Sequence, residues 1–423
     1  MAFTLTLVYI ALSHLSPAEL FPAFGSYHVM QWLAACASLA ALPHIVRRSE
    51  VFRTPQTGAM LGFMAAVGLS RLAHLWFGGV FPALLSVMPS AIVFVLVLAT
   101  VNTLRKLQMV LAVVILVSLW LVGQALIGAP GNAEAANRYV HRAQMQSSNG
   151  KTVELERVQS VGLMEDPNDF AQFLLVATAL LGVAWQSGRW VRNLFVVVAP
   201  GAILLYAAFL TQSRGAVLGF GILAFLVLRR SFNLKVSLPL TAVVVIALIA
   251  VSTRAISINE SSAAGRVMAW GTGITMLKSS PLFGVGYGIF TNLNDLTAHN
   301  SFVLCFAELG LCGYFFWLAL IVFSVRDLNA ILRSSLEQTV DADLVRCAAM
   351  IRIALATFLV TAWFLSRTYL VTFYLLIAAA VAVRALAPPD SIPVPAGSRW
   401  ALTGAVEVAS IGLIYAMVIS RAF

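Results

Sequence analysis

His299 and Asn300 close a polar stretch and stand immediately before an apolar run, Ser301-Phe302-Val303-Leu304. An imidazole changes charge near neutral pH and needs only a small shift to act as a general base. A lone histidine is more often structural, here as a cap for the following helix, where Asn300 or Ser301 could serve equally well. Arg214 lies in Leu210-Thr211-Gln212-Ser213-Arg214-Gly215-Ala216, a polar knot between two apolar runs. A guanidinium there is costly unless it meets water, a partner or an anion. It reads equally as an anion ligand and as an arginine reaching lipid headgroups. Arg266 stands at the start of a candidate helix, where free N–H groups favour an anion and a bidentate fork suits phosphate. A solvated loop arginine is its plainer reading. Arg142 has His141, Arg138 and Lys151 as neighbours, but Glu134, Glu154 and Glu156 dilute the charge, and a mixed solvated surface is the plainer reading there too.

The chemistry these residues suggest needs no metal and no cofactor. No second histidine or cysteine lies at metal-ligand spacing from His299. A hard-cation site needs several carboxylates, and Glu165, Asp166, Asp169 and Asp295 are scattered. Arginines would supply the positive charge instead. Asp166-Pro167-Asn168-Asp169 reads first as an ordinary helix start. The spacing of Gly284, Gly286 and Gly288 is not that of a phosphate loop, and a tight turn with close backbone approach fits better. Glu308 falls inside an apolar run, so it should face the bundle or meet a cation.

The elements that must position these residues are membrane helices. The chain has 423 residues, 60% apolar and 10% charged. Apolar runs of about 18 residues or more recur from end to end, each long enough to cross roughly 30 Å of hydrocarbon. Their continuity argues for helices and against alternating barrel strands. The net charge of +10 is spread between the runs, which argues against nucleic acid. Cys36, Cys305, Cys312 and Cys347 lack disulfide or metal spacing. The N-terminus has no charged leader region, so the first run reads as a retained helix.

The expected fold is an all-α, polytopic, single membrane-embedded domain over 1–423 with about 12 spans (11–13). The runs are 3–22, 27–46, 57–76, 80–102, 108–127, 167–187, 193–211, 213–230, 236–253, 301–324, 346–366, 368–386 and 401–420. Basic residues fill every second gap, as in Arg47-Arg48, Arg105-Lys106, Arg189 with Arg192, and Arg229-Arg230. Those gaps are expected to be cytoplasmic. Two long polar stretches, 128–166 and 254–300, then fall on the opposite side. The second carries an expected amphipathic helix, with Ser261-Ser262 to cap it, Val267, Trp270, Ile274 and Leu277 as its apolar stripe, and Pro281 to stop it. The stretch 387–400 reads as a Pro-rich cytoplasmic linker. Arg71, Arg138, Arg157, Arg254, Lys278, Arg367 and Arg421 also fall on the outer side, against the orientation rule.

Thr211-Gln212-Ser213-Arg214-Gly215-Ala216, then Gly284-Val285-Gly286-Tyr287-Gly288-Ile289-Phe290, then His299-Asn300-Ser301-Phe302 with Glu308-Leu309-Gly310-Leu311-Cys312-Gly313, resembles the O-antigen ligase and polymerase superfamily of bacterial envelope proteins. Asp166-Pro167-Asn168-Asp169-Phe170-Ala171 resembles it as well. The motifs cover about 150–320. The resemblance implies glycosyl transfer at the periplasmic face of the inner membrane, with a polysaccharide on undecaprenyl diphosphate as donor. Lipid A–core is the acceptor implied for a ligase. It implies donor-diphosphate binding by Arg214 and Arg266, and by Arg142 on weaker grounds. Gln212, Ser213, Asn300, Asp166 and Asn168 would support the site. His299 would act as, or help position, the base on the acceptor hydroxyl. A polymerase, which differs in its acceptor, and a protein O-oligosaccharyltransferase remain open alternatives. A lipid-linked saccharide transporter is the reading from a different class. It would require buried mid-membrane charges and paired broken helices, and the sequence shows few of the former.

Overall fold

The computed structural model describes residues 1–20, 27–128, 138–146, 152–251, 260–334, 340–388 and 398–420. For 18–19, 143–146, 152–155 and 260–264 it describes the backbone alone. Glu134, Lys151, Arg254, Arg421, residues 389–397 of the linker and the side chains of Ser261, Ser262 and Glu154 lie outside the described residues.

The protein is an all-α polytopic membrane protein. In order, the main helices are α1 (Ala2–Leu15), α2 (Val29–Arg47), α3 (Pro55–Leu72), α4 (Phe77–Thr100) and α5 (Leu104–Gly128). A hairpin follows, β1 (Val140–Gln146) and β2 (Thr152–Val158), and then α6 (Pro167–Leu181) and α7 (Trp190–Leu210). The remainder is α8 (Arg214–Ser231), α9 (Leu234–Val251), α10 (Glu260–Ser279), α11 (Ser301–Ser334), α12 (Ala342–Ala362), α13 (Val371–Leu386) and α14 (Arg399–Ile419). Each expected apolar run carries a helix among the described residues. Among the described residues, nine helices are long and apolar enough to cross a membrane. The first run is shorter than expected. Its helix stops at Leu15, where Ser16 turns left-handed at φ 46°, and 14 residues rise only about 21 Å. The helices α3 and α8 keep polar ends, with Gln56, Ser70 and Arg71 in one and Arg214, Arg229 and Arg230 in the other.

The chain divides into two compact units. Unit 1 comprises residues 1–37, 103–258 and 346–361. Its centre is α6, buried at nearly every position, which packs against α5, α7 and α8. Gln172 ties α6 to α12 by donating to the Phe358 carbonyl (3.1 Å) and to Thr361 Oγ1 (2.8 Å). A buried amide inside a bundle needs such partners, because lipid offers none.

Unit 2 comprises residues 38–102, 259–345 and 362–423. Its centre is α11, which packs against α3, α10, α13 and α14. This helix breaks at Gly310, which adopts φ 66° and ψ −167°. The break frees backbone groups that the segment after α10 satisfies. Val285 N donates to the Ala307 carbonyl (2.9 Å), Gly286 N to Glu308 O (3.0 Å), Leu311 N to Pro281 O (2.8 Å) and Cys312 N to Leu282 O (3.1 Å). Two backbones approach so closely here that a Cβ on Gly284 would lie 2.3 Å from the Glu308 carbonyl carbon. Gly284 is also left-handed, at φ 67°, so any side chain is excluded twice.

Candidate active site

In unit 1 the Arg214 knot is a three-residue connection, Thr211–Ser213, between α7 and α8. Thr211 is the C-cap of α7, Gln212 is left-handed at φ 49°, and Ser213 caps α8 by accepting from Ala216 N. Arg214 is the first residue of α8 and is half-buried. A cap and a left-handed residue together fix the direction in which the chain enters α8. The first long loop reaches this turn. Arg157 on β2 is 4% exposed, donates from Nε to the Thr211 carbonyl (2.9 Å) and from Nη2 to Asn168 Oδ1 (2.9 Å). Asp166 caps α6, accepting from the backbone N and the side-chain Nδ2 of Asn168, each at 2.7 Å. Gln212, Ser213, Asp166, Asn168 and Arg214 therefore form one connected constellation.

Arg142 stands apart from it. The hairpin register pairs Arg142 with Glu156 and His141 with Arg157. Arg142 Nε meets Glu156 Oε1 at 3.2 Å with both side chains largely exposed. Such a pair contributes on the order of 1 kcal/mol or less. Strand alternation puts it on the face away from Arg157.

In unit 2 the residues before α11 form a second constellation. His299 is left-handed at φ 45° and half-buried. The helix cap belongs to Asn300, whose Oδ1 accepts from Phe302 N (2.9 Å) and Val303 N (3.2 Å). Trp270 of α10 donates from its indole to the Ala298 carbonyl (3.0 Å), next to His299. Arg266 precedes Trp270 by four residues, so both occupy one face of α10. The structure thus ties α10, four residues after Arg266, to the residue before His299. It also corrects one expectation: α10 is already helical at Glu260, so Arg266 lies more than a turn inside it and no free helix-start N–H groups flank it. Of the expected stripe, Trp270 and Ile274 are buried, while Val267 and Leu277 are half-buried.

Two residues join this region that the sequence did not mark as site residues. Arg367 donates its backbone N to Ser301 Oγ (2.8 Å), and Ser301 Oγ donates to Leu365 O (2.6 Å). Thr368 Oγ1 donates to the Ser301 carbonyl (2.7 Å). The loop between α12 and α13 is thereby fastened to the start of α11. Trp363 seals it, lying 6.2 Å from Trp270 and 5.1 Å from Phe302 between ring centroids.

The glycine motif has a separate role. Glu308 accepts from Phe290 N (3.2 Å), from Tyr369 OH (2.8 Å) and from the Gly288 backbone. Ser70 Oγ accepts from Tyr287 N (3.0 Å), and His74 Nε2 donates to the Gly284 carbonyl (2.8 Å). The loop's N–H groups are thus spent on protein acceptors and do not form a phosphate cradle. Burial, with the nearby Glu308 charge, pushes the Tyr287 hydroxyl up from its ordinary value. Arg71 lies close enough to Glu308 for charge attraction and stacks 4.2 Å from the Trp76 ring. This is the partner expected for a buried carboxylate. Among the described residues no three His, Cys, Asp or Glu side chains gather as metal ligands.

A bundle of long apolar helices, with Arg214 opening one helix and His299 preceding another, defines a polytopic membrane protein. Residues 199–318 match the model of a protein family described as O-antigen ligase. The match holds Arg214, Arg266, His299, Asn300 and Glu308, and supports the O-antigen ligase superfamily, with a ligase- or polymerase-type role in general terms. A search of curated proteins found none that matches.

Proposed function

We propose that this protein is an inverting, metal-independent glycosyltransferase. It would move O-antigen polysaccharide from undecaprenyl diphosphate to a sugar hydroxyl of lipid A–core, at the periplasmic face of the inner membrane. The observation that supports this reading is the bond from Trp270 to the Ala298 carbonyl, which ties α10, four residues after Arg266, to the residue before His299 inside the segment matching the O-antigen ligase family.

The acceptor hydroxyl attacks the anomeric carbon as the bond to the diphosphate oxygen breaks, and the electron pair leaves with the diphosphate. Guanidiniums held in place stabilise that developing charge. Arg214 and Arg266 serve this role, and Arg142 joins them by exchanging Glu156 for a phosphate oxygen. His299 takes the hydroxyl proton or orients the hydroxyl for attack, and alignment of the two sugars supplies much of the rate. One displacement inverts the anomeric carbon. Gln212 and Ser213 hold the Arg214 turn, Asn300 holds the His299 loop, and Asp166 with Asn168 supports the first.

A detergent-solubilised preparation separates transfer from transport, because micelles have no two compartments to move a lipid between. Purified protein given lipid-linked polysaccharide and lipid A–core in excess chelator should form a new glycosidic product at the rate seen without chelator. No product in micelles would favour a transporter, and a loss reversed by a divalent ion would refute the metal-independent mechanism.

A further inference from the structure

We propose that Arg157, which the general reading leaves without a role, is a positioning residue for donor capture. It acts by holding the Thr211 carbonyl and the Asn168 amide oxygen at once, which sets where Arg214 stands. This inference rests on the reading that Arg214 binds the donor diphosphate.

The geometry is specific. Arg157 is almost fully buried, and its fork spans two acceptors on different elements: the end of α7 and the start of α6. Thr211 O is one of the carbonyls that a helix end leaves without an intrahelical partner, and a cation there also complements the helix dipole. Only one residue separates Thr211 from the Ser213 cap, and that residue, Gln212, is left-handed. A non-glycine residue keeps that conformation only where its surroundings over-determine it. Arg157 fixes one side of the turn and the Ser213 cap fixes the other. Asn168 is itself held by two bonds to Asp166, so the second acceptor is rigid. The chain of contacts Asp166, Asn168, Arg157, Thr211 thus ends three residues before Arg214. The hairpin then works as a strap on the donor site, in contrast to Arg142 on its exposed face. A lysine cannot replace this residue, because a single ammonium on a flexible stem does not reproduce a planar fork.

The test uses the full chain in detergent, with undecaprenyl diphosphate as the binding probe. Arg157→Lys keeps the charge, Asn168→Ala removes one arm alone, and Arg214→Ala is run beside them. Arg157→Lys should weaken undecaprenyl diphosphate binding and raise the donor KM about tenfold, with acceptor KM and Tm held. Asn168→Ala should act in the same direction to a smaller extent. Unchanged probe binding in both variants would overturn the positioning role. So would a fall in Tm with donor and acceptor KM rising together, which marks a merely structural residue. Weakened binding in Arg214→Ala with normal binding in Arg157→Lys defeats this inference alone. Normal binding in Arg214→Ala defeats the underlying reading of Arg214.

Discussion

Replacing His299 with alanine should abolish transfer while the protein still inserts and still binds its lipid-linked donor. The loss expected for a general base is on the order of a hundredfold to ten-thousandfold. The separation of effects follows from the architecture. Asn300 makes the cap of α11 and Trp270 holds the Ala298 carbonyl, so both supports of the loop survive the substitution. Turnover by single-cycle assay, set against donor binding to the same preparation, measures both. Full activity in the alanine variant would end the role assigned to this histidine.

Arg214→Ala should act in the opposite way, on capture of the donor. A charge-assisted bidentate contact to phosphate is among the stronger polar contacts, and losing it should lower kcat/KM by roughly a hundredfold, on the order of 2.7 kcal/mol. Arg266→Ala should do the same within unit 2. Lysine at either position should recover only part of the loss, since it carries the charge without the fork. Donor binding that is unchanged in one of these variants would remove that arginine from the site.

The spans could be read directly from the sequence, because a lipid environment demands long apolar runs and each such run carries a helix among the described residues. The start at Asp166 was legible for the same reason that it works; Ser213 and Asn300 do the same job, but the sequence did not single them out as caps. Asp166, Ser213 and Asn300 are residue types whose side chains accept from the first free N–H groups, and each does so. The hairpin was missed, although Thr152-Val153-Glu154-Leu155-Glu156-Arg157-Val158 alternates and Asn149-Gly150 precedes it, which is a hairpin signal. The break at Gly310 was hidden inside an apolar run, since the backbone groups that compensate it come from 281–286 and no local pattern announces them. Arg157 and Arg367 stood out as misplaced charges, but Thr211, which Arg157 holds, and Ser301, which accepts from the Arg367 backbone, are distant in sequence. Tertiary pairing of that kind leaves no periodicity to read.

The measurement that bears most directly on the central claim is the fate of the polysaccharide when purified protein receives lipid-linked donor with lipid A–core, and again with no acceptor. The account predicts polysaccharide joined to core, with an inverted anomeric linkage, and no lengthened chain in the acceptor-free reaction. Lipid-linked chains that grow whether or not core is present would contradict it, and would make the protein a polymerase.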